Sequence, residues 1–355
     1  MKKVLITGIT GQDGSLMADY LIDNFEDIEV YGAHRRLSVP NHENIKHLLN
    51  NFRFKKIEIN SADQFSVTNA ISLIRPDYYI NFAANSFVGG SWNCPVEHME
   101  TNAMSVLYAL EAIRKNVPNC RFYNAGSSEQ FGDVDYVPQD IKHPFKPRSP
   151  YGVSKCAAHH VVKVWRESYN LYAVQGILFN HEGVRRGEEF VTRKITKNVA
   201  RISKSISNDI SFEPLELGNI NSKRDWSDAE DFVRGVWLML NQDSPKDYVL
   251  ASNETHTVKE FVELSFKFAG IEGRWDGEGI NEKFLLKKYK DEKYFYQDEP
   301  VLMKINSNFY RPAEVDLLWG DSSEAQKDLG WRLQTSFENL VKKMTLNDLD
   351  KFSKV

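Results

Sequence analysis

A tyrosine and a lysine spaced for proton transfer are the first chemical signal in this sequence. Tyr151 and Lys155 follow Ser149-Pro150, a typical helix start, so they lie one turn apart on the same helix face. A free phenol has a pKa of about 10, and a neighbouring ammonium group favours its ionised form. The pair predicts removal of a proton from a sugar hydroxyl while hydride leaves the same carbon for a nicotinamide ring.

A serine and a glutamate come just before that pair. Ser127 and Glu129 follow the apolar run 120–125, which is typical of a buried strand. A plain oxidoreductase or epimerase needs a hydroxyl, a tyrosine and a lysine, but no additional carboxylate here. Glu129 can remove an acidic proton beside a new ketone and then protonate a leaving hydroxyl, which is elimination of water. The alternative is an exposed loop glutamate without a chemical role.

The N-terminus contains the elements that would hold the cofactor. A short apolar strand at 3–8 runs into a loop with glycines at three-residue spacing, and an amphipathic helix follows. Such a loop lets backbone N–H groups approach a pyrophosphate at a helix N-terminus. The spacing GxxGxxG is less specific than GxGxxG, and an ordinary glycine turn is the alternative. The predicted cofactor residues of this loop are Gly8, Gly11, Gln12, Asp13 and Gly14.

Two arginines follow the second predicted strand, 29–33. At this position NAD enzymes usually carry an acid that binds the ribose hydroxyls, whereas Arg35 and Arg36 suit a 2′-phosphate. The sequence therefore favours NADP over NAD. The alternative is a pair of exposed loop arginines.

The positioning elements predict an α/β fold. Strands at 3–8, 29–33, 54–60, 77–84, 120–125 and 173–179 alternate with helices, which indicates a Rossmann-like doubly wound parallel sheet. We predict that this NADP-binding domain spans 1–180 plus about 225–250. A smaller mixed α/β C-terminal substrate domain would comprise about 181–224 and 251–355, with helices near 257–269 and 335–351.

Composition excludes several classes of function. The net charge of −4 over 355 residues gives no overall attraction to nucleic acid or anionic membranes. No apolar run reaches the roughly 20 residues of a membrane span. Three cysteines without CxxC spacing predict neither a disulfide framework nor a metal site, and they suit a reducing cytosol.

Several long motifs resemble the GDP-mannose 4,6-dehydratase family of extended short-chain dehydrogenases/reductases. The resemblance covers essentially the whole chain, and its most distinctive segments are GITGQDGS (8–15), PFKPRSPYGVSK (144–155), GILFNHEGVRRGEEFVTRKIT (176–196), LGNINSKRDW (217–226) and YRPAEVD (310–316). It implies that Tyr151 takes the proton of the sugar 4-hydroxyl as hydride passes to NADP. Glu129 would then take the C5 proton and help to expel the 6-hydroxyl as water, before hydride returns to C6.

The resemblance also assigns binding residues. Ser127 would hydrogen-bond the 4-hydroxyl, Lys155 would hold the nicotinamide ribose, and Asn60 and Ala83 would contact the cofactor. The implied substrate-binding residues are Ser86, Asn180, Arg185, Arg193, Lys194, Arg224, Arg311 and Glu314. The loop 35–44 matches one that reaches a neighbouring subunit in this family, so the resemblance implies a homotetramer.

Three departures from the family pattern leave the sugar open. Ser127 stands where the family usually has threonine, Asn60 replaces an acid, and Phe87 replaces a histidine beside the hexose. GDP-mannose is the expected substrate, and a GDP-manno-heptose is the alternative. A nucleotide-sugar epimerase or reductase is a second alternative, which leaves Glu129 without a role. A catalytically silent regulator is a third, although Tyr151 and Lys155 are both intact.

Overall fold

A parallel sheet forms the centre of the protein. The computed structural model describes residues 1–290, 299–310 and 317–354. In chain order its strands are β1 (Lys2–Thr7), β2 (Ile28–His34), β3 (Phe54–Glu58), β4 (Tyr78–Asn81), β5 (Arg121–Ala125), β6 (Ala173–Leu178), β7 (Asn180–Glu182), β8 (Leu215–Leu217), β9 (Lys223–Arg224), β10 (Trp226–Asp228), β11 (Tyr248–Leu250), β12 (His256–Thr257), β13 (Ile271–Asp276), β14 (Lys283–Tyr289), β15 (Val301–Ile305) and β16 (Leu317–Leu318). The seven-stranded sheet has the order β11–β6–β5–β4–β1–β2–β3, with every pair parallel. The predicted doubly wound α/β fold is confirmed, because the strand order reverses between β1 and β4.

Some helices cover both faces of this sheet, and others pack in a second core beyond it. They are α1 (Gln12–Asn24), α2 (Gln64–Ile74), α3 (Pro95–Met99), α4 (Ser105–Asn116), α5 (Pro150–Tyr169), α6 (Val191–Ser207), α7 (Ala229–Leu240), α8 (Val258–Phe268), α9 (Ser323–Leu329) and α10 (Phe337–Ser353). On one face α1 and α7 bury Met17, Leu21 and Val236, and on the other α2 and α4 bury Ile71 and Leu110. Both faces of the strands are therefore apolar, as a parallel sheet requires.

A second core lies beyond β6. There α6, α8 and α10 pack with a four-stranded sheet of order β13–β14–β15–β8, and they bury Val199, Phe261 and Met344. Strand β11 returns to the large sheet beside β6. In contrast, Ala325 and Trp331 near α9 pack in the first core, although the predicted division puts them in the second domain. The two-domain division stays a prediction, and this contact argues for assigning α9 to the sheet.

One predicted helix is interrupted. The sequence pattern predicts a continuous helix from about 98 to 115, whereas the structure has α3, then a π-helical stretch at Glu100–Met104, then α4. The reason lies in Asn102, whose buried side chain leaves the helix to hydrogen-bond the backbone of Asn85. Single π turns of this kind often occur beside functional sites.

Candidate active site

A large cavity opens at the carboxyl edge of the sheet, where the strand order reverses. Its volume is about 1340 Å³, and the loops after β1, β2, β4, β5 and β6 form one wall. The start of α6 and the segments around β8 and β9 form the opposite wall. A pocket for one small ligand measures roughly 300–1,000 Å³, so this cavity has room for a cofactor and a substrate together.

The glycine loop fits a dinucleotide phosphate. Gly8 has a φ of 70°, and a Cβ built there would lie 2.9 Å from Ala83 N. A Cβ on Gly14 would lie 2.3 Å from Gly8 O, so the turn is too tight for any other residue. Helix α1 begins at Gln12, and the preceding Gly11 has no side chain to cap it, which leaves the first N–H groups of the helix to bind an anion. All the predicted loop residues, and Ala83, line the cavity.

The two arginines after β2 differ. Arg35 lines the cavity, as does Asn60 across from it. Arg36 is exposed and does not belong to the cavity wall, because consecutive residues of an extended chain point in opposite directions. The predicted 2′-phosphate contact thus rests on Arg35 alone. Asn44 supports this region by donating to Thr10 O at 2.9 Å.

A capped turn carries the serine and the glutamate. Ser127 precedes the short helical turn Ser128–Gln130, and its hydroxyl accepts from Glu129 N at 3.3 Å. The Gln130 side chain in turn accepts from Ser127 N at 2.9 Å. This reciprocal pair is a capping box, so the turn has little freedom to move. Ser127 and Glu129 both reach the cavity from it.

The next helix brings the phenol and the ammonium group to the same wall. Ser149 caps α5 by accepting from Gly152 N at 3.0 Å, and proline occupies the first helical position. Tyr151 and Lys155 are buried yet line the cavity, with exposed fractions of 7% and 4%. The Tyr151 hydroxyl hydrogen-bonds Ser127, and Lys155 Nζ donates to Ala125 O at 2.8 Å. The predicted catalytic residues therefore converge.

Burial shifts both of these groups away from their ordinary titration. It raises the pKa of Tyr151 to about 12, and the nearby Glu129 charge adds to this, while Ser127 and Arg186 oppose it. Burial lowers the pKa of Lys155 to about 8, against the opposing charge of Asp13. A cation bound beside Tyr151 would favour the phenolate, and an oxidised nicotinamide ring is such a cation.

Asp13 and His181 form a partly buried pair that the sequence did not reveal. His181 Nε2 lies 3.0 Å from Asp13 Oδ2, and Gln12 Nε2 donates to the other Asp13 oxygen at 3.1 Å. Burial alone would raise the pKa of Asp13, but the His181 charge and hydrogen bond bring it down to about 2. The same pairing raises the pKa of His181 against its own burial. The pair links the glycine loop to strand β7, which contains His181.

A row of buried side chains links the strands beneath the cavity. Thr7 Oγ1 donates to Asn81 Oδ1 at 2.6 Å, and Asn81 Nδ2 donates to Asn124 Oδ1 at 2.9 Å. Asn124 Nδ2 then donates to Gln175 Oε1 at 2.7 Å, and Gln175 Nε2 donates to Gln130 Oε1 at 3.1 Å. We call this row the amide ladder. It connects the strand before the glycine loop to the capped turn through β4, β5 and β6.

The basic residues on the opposite wall are placed differently from one another. Arg185 lines the cavity but turns to α1, where it lies 2.6 Å from Asp19 and 3.0 Å from the Ser15 hydroxyl. Arg186 was not selected in the sequence analysis. Its guanidinium carbon lies 3.6 Å from the centre of the Phe190 ring, and its positive charge lowers the pKa of Tyr151. The sequence offered no basis for choosing between adjacent arginines. Arg186 is also ion-paired, because its Nε lies 3.1 Å from a carboxylate oxygen of the buried Glu182, so each of the two arginines has an acidic partner.

The remaining predicted substrate residues lie farther along the same wall. Ser86, Asn180, Arg193, Lys194 and Arg224 all line the cavity. Lys194 packs 3.6 Å from the Phe309 ring, and burial lowers its pKa. Asn180 Oδ1 is buried and has no hydrogen-bond partner among the described residues, so it can accept from a ligand hydroxyl. Arg311 and Glu314 lie outside the described residues.

Two aromatic rings contact each other in the cavity wall. Phe87 is 42% exposed, and its ring meets the edge of Phe190 at a centroid distance of 6.2 Å. Asn102 holds the chain just before Phe87, because its Oδ1 accepts from Asn85 N and its Nδ2 donates to Asn85 O. Asn102, which sequence reasoning missed, thus supports the segment 85–87 of the cavity wall.

Comparison with known proteins assigns this chain to a family. The family model described as GDP-mannose 4,6 dehydratase matches residues 5–344. The chain belongs to the GDP-mannose 4,6-dehydratase family. A relative from Drosophila melanogaster is 42% identical, with 98% of this chain and 86% of that protein aligned. Relatives of the same family from Yersinia enterocolitica and Homo sapiens are 41% and 39% identical over 98% of this chain, and cover 94% and 91% of their own lengths.

Solved structures agree on the fold. A dTDP-glucose 4,6-dehydratase from Streptomyces venezuelae, solved with NAD and TYD, has a TM-score of 0.80 at 18% identity, over 99% of this chain and 98% of its own. A UDP-glucose 4-epimerase from Thermotoga maritima has a TM-score of 0.78 at 22% identity, over 99% and 100%. Dehydratases and epimerases thus share this fold, so the choice between them depends on the site. No helix in the described part of the chain is long and apolar enough to cross a membrane.

Proposed function

We propose that this protein is a GDP-mannose 4,6-dehydratase, a hydro-lyase that forms GDP-4-keto-6-deoxymannose. The observation that carries this proposal is Glu129 on the same capped turn as Ser127, beside the Tyr151–Lys155 pair. An epimerase needs the hydroxyl, the phenol and the ammonium group, but it has no use for this carboxylate. Membership of the dehydratase family supports the same choice.

The first half of the reaction is oxidation at C4. A nicotinamide cofactor, which Gly8, Gly11 and Gly14 of the glycine loop would hold, would take up the C4 hydride and give it back at C6, so the overall reaction would consume no oxidant. Tyr151 as phenolate accepts the proton of the 4-hydroxyl, and Ser127 hydrogen-bonds the same oxygen. Lys155 Nζ lies 5.7 Å from the centre of the Tyr151 ring, and its positive charge favours the phenolate form.

The second half is elimination of water. Once C4 is a ketone, the C5 proton is acidic, and Glu129 as carboxylate removes it. The same group then protonates the 6-hydroxyl, which leaves as water. The water that is lost therefore consists of the C5 hydrogen and the 6-hydroxyl group. Hydride at C6 and a proton at C5 complete the product. The capped turn keeps Ser127 and Glu129 in fixed relation, as the two consecutive steps require.

The cofactor we propose is NADP. Arg35 at the end of β2 supports this choice, because a guanidinium suits a 2′-phosphate and no acid occupies the ribose position that NAD enzymes use. Denaturing the purified protein and analysing the released nucleotide tests the choice directly. A nucleotide without the 2′-phosphate would refute it.

Two finer points also belong to this proposal. Phe87, which stands where the family usually has histidine, lies beside Phe190 in the cavity wall, and this departure from the family pattern keeps a GDP-manno-heptose as the alternative substrate. We further propose a homotetramer, because the loop 35–44 is largely exposed beside the cofactor end of the cavity. Light scattering of the purified protein measures the assembly.

The decisive experiment follows loss of water by mass spectrometry. The protein is incubated separately with GDP-mannose and with GDP-manno-heptose, and we expect dehydration of the first. Glu129→Gln should abolish dehydration, by roughly 10³-fold or more, because general acid–base groups contribute about 10²–10⁴ and this one serves twice. Glu97→Gln, at an exposed glutamate elsewhere in the cavity wall, is the matched control. Dehydration by Glu129→Gln at the normal rate would refute the mechanism.

A further inference from the structure

The last helix brings a carboxylate to the substrate side of the cavity. Asp348 on α10 is only 1% exposed, and its Oδ1 pairs with Arg193 Nη1. Its second oxygen accepts from Thr196 Oγ1 at 2.7 Å. Arg193 and Thr196 lie one turn apart on α6, so two side chains of one helix hold this single carboxylate.

This ion pair is not explained by stability alone. Moving two charges out of water costs about as much as their attraction returns, and apolar residues of the same size often stabilise a core better. The helices α6 and α10 already bury Val199, Val341 and Met344 between them. Arg193, however, is also part of the cavity wall. A charge pair at the boundary of a cavity is better explained by what it presents to a ligand.

The geometry divides the guanidinium between two tasks. A guanidinium has five N–H donors in one plane, and the contact with Asp348 uses Nη1. With that nitrogen held, rotation of the plane is restricted, and the other nitrogens remain available to donate into the cavity that Arg193 lines. Thr196 fixes the carboxylate in the same way, because its hydroxyl engages the oxygen that Arg193 does not. Nearby Lys351, three residues after Asp348, also lines the cavity and adds positive charge.

We propose that Asp348 is a positioning residue for substrate: it orients Arg193 to bind the diphosphate of the nucleotide sugar. This inference rests on the proposed function, which supplies the diphosphate. Without the carboxylate, the guanidinium would rotate freely and bind the oxyanion less well. A hydrogen bond to a charged group contributes about 1.5–3 kcal/mol, so we expect roughly a 10- to 100-fold loss of GDP affinity in Asp348→Asn.

The test compares GDP with guanosine by titration calorimetry. Asp348→Asn should weaken GDP but leave guanosine binding unchanged, because only GDP carries the diphosphate. With substrate, the KM should rise while kcat changes little. Asp350→Asn is the control, since Asp350 is exposed on the same helix and pairs with Lys354 at 2.5 Å. Equal losses for GDP and guanosine, or no loss for either, would overturn the positioning role in favour of a structural one.

A second variant, Thr196→Val, tests the same proposal if Asp348→Asn does not fold. Thr196→Val keeps both charges and removes only the hydroxyl that fixes the carboxylate, so a smaller loss of GDP affinity in the same direction is expected. If Asp348→Asn melts early, an unchanged ratio of GDP to guanosine affinity in Thr196→Val decides against the inference. If the wild-type protein itself fails to bind GDP, it is the proposed function that is wrong.

Discussion

Two helices begin at the cavity, and each carries a buried cation, but the two cations are held in opposite ways. At the start of α5, Lys155 donates to the carbonyl oxygen of Ala125, which carries no formal charge. At the start of α6, Arg193 pairs with the carboxylate of Asp348. The exposed fractions are similar, at 4% and 7%. Burial therefore does not decide the difference, and the chemical task of each cation does.

The contrast follows from what each charge must do. In the proposed mechanism Lys155 favours a phenolate through its electric field, and a carboxylate in contact would cancel that field. Arg193 must present donors in one orientation, and a carboxylate in contact fixes that orientation without removing the remaining donors. The site thus leaves one cation without a carboxylate in contact, at a cost in stability, and restrains the other.

Among the cations of the cavity, the largest expected effect comes from removing the lysine charge. Lys155→Met should lower kcat by roughly 10²–10³-fold with little change in the KM for the sugar, because the charge acts on the reacting proton. Steady-state kinetics with GDP-mannose measure both constants. Lys163→Met, on an exposed position of the same helix, is the control. A rise in KM with unchanged kcat would mean that Lys155 serves binding, and the contrast with Arg193 would disappear.

Lys155→Met, which should lower kcat, should raise the free energy of unfolding. Burial lowers the pKa of Lys155 from 10.5 to about 8, so near neutral pH the folded state holds this proton less tightly than the unfolded state. That difference corresponds to about 3 kcal/mol of destabilisation, fully present below about pH 8 and relieved as pH rises toward the unfolded pKa. Cofactor-free Lys155→Met should therefore unfold at higher urea concentration than wild type near neutral pH.

The pH dependence provides the check on this prediction. The gap in the free energy of unfolding between Lys155→Met and wild type should narrow between about pH 8 and pH 10. Urea titrations of both proteins across that range measure it. A gap that stays constant with pH would show that the variant gains stability through packing instead of through the lost charge.

The smallest expected effect concerns the exposed cation. Arg35 lines the cavity but remains open to solvent, so its contribution is screened by salt, unlike that of the two buried cations. Arg35→Ala should reduce the preference for NADP over NAD by roughly tenfold, and Arg36→Ala should change it much less. Competition binding at low and high salt measures both. An equal effect of the two substitutions would contradict the placement of Arg36 outside the cavity.

Much of the fold could be predicted because it depends on local signals. The six apolar runs of the first 180 residues became the strands β1 to β6, with ends shifted by a few residues. The capped start of α5 followed from Ser149-Pro150. The π-helical stretch could not be predicted, because its cause is a long-range contact between Asn102 and Asn85. Hydrophobic periodicity carries no information about such a contact.

The candidate site shows the same division. Residues tied to a motif, such as Ser127, Glu129 and Tyr151, converge at the cavity as expected. The partners that hold them were not predictable. Asp348 is 155 residues from Arg193, and adjacent arginines in the segment 183–190 differ only in the direction they point. Sequence spacing identifies groups on one element, but it does not identify partners from distant ones.

The amide ladder has one property that its individual hydrogen bonds do not have. Because Ser127 N–H donates to the Gln130 oxygen, Gln175 must turn its amino group toward that oxygen, and this choice fixes each amide in turn back to Thr7. All the dipoles consequently point the same way across β1, β4, β5 and β6, and aligned hydrogen bonds strengthen one another. The row therefore has a polarity, and an amide that flipped at one end would require every other amide to flip. The hydrogen bonds of the capped turn and those of strand β1 therefore depend on one common orientation of the amides between them.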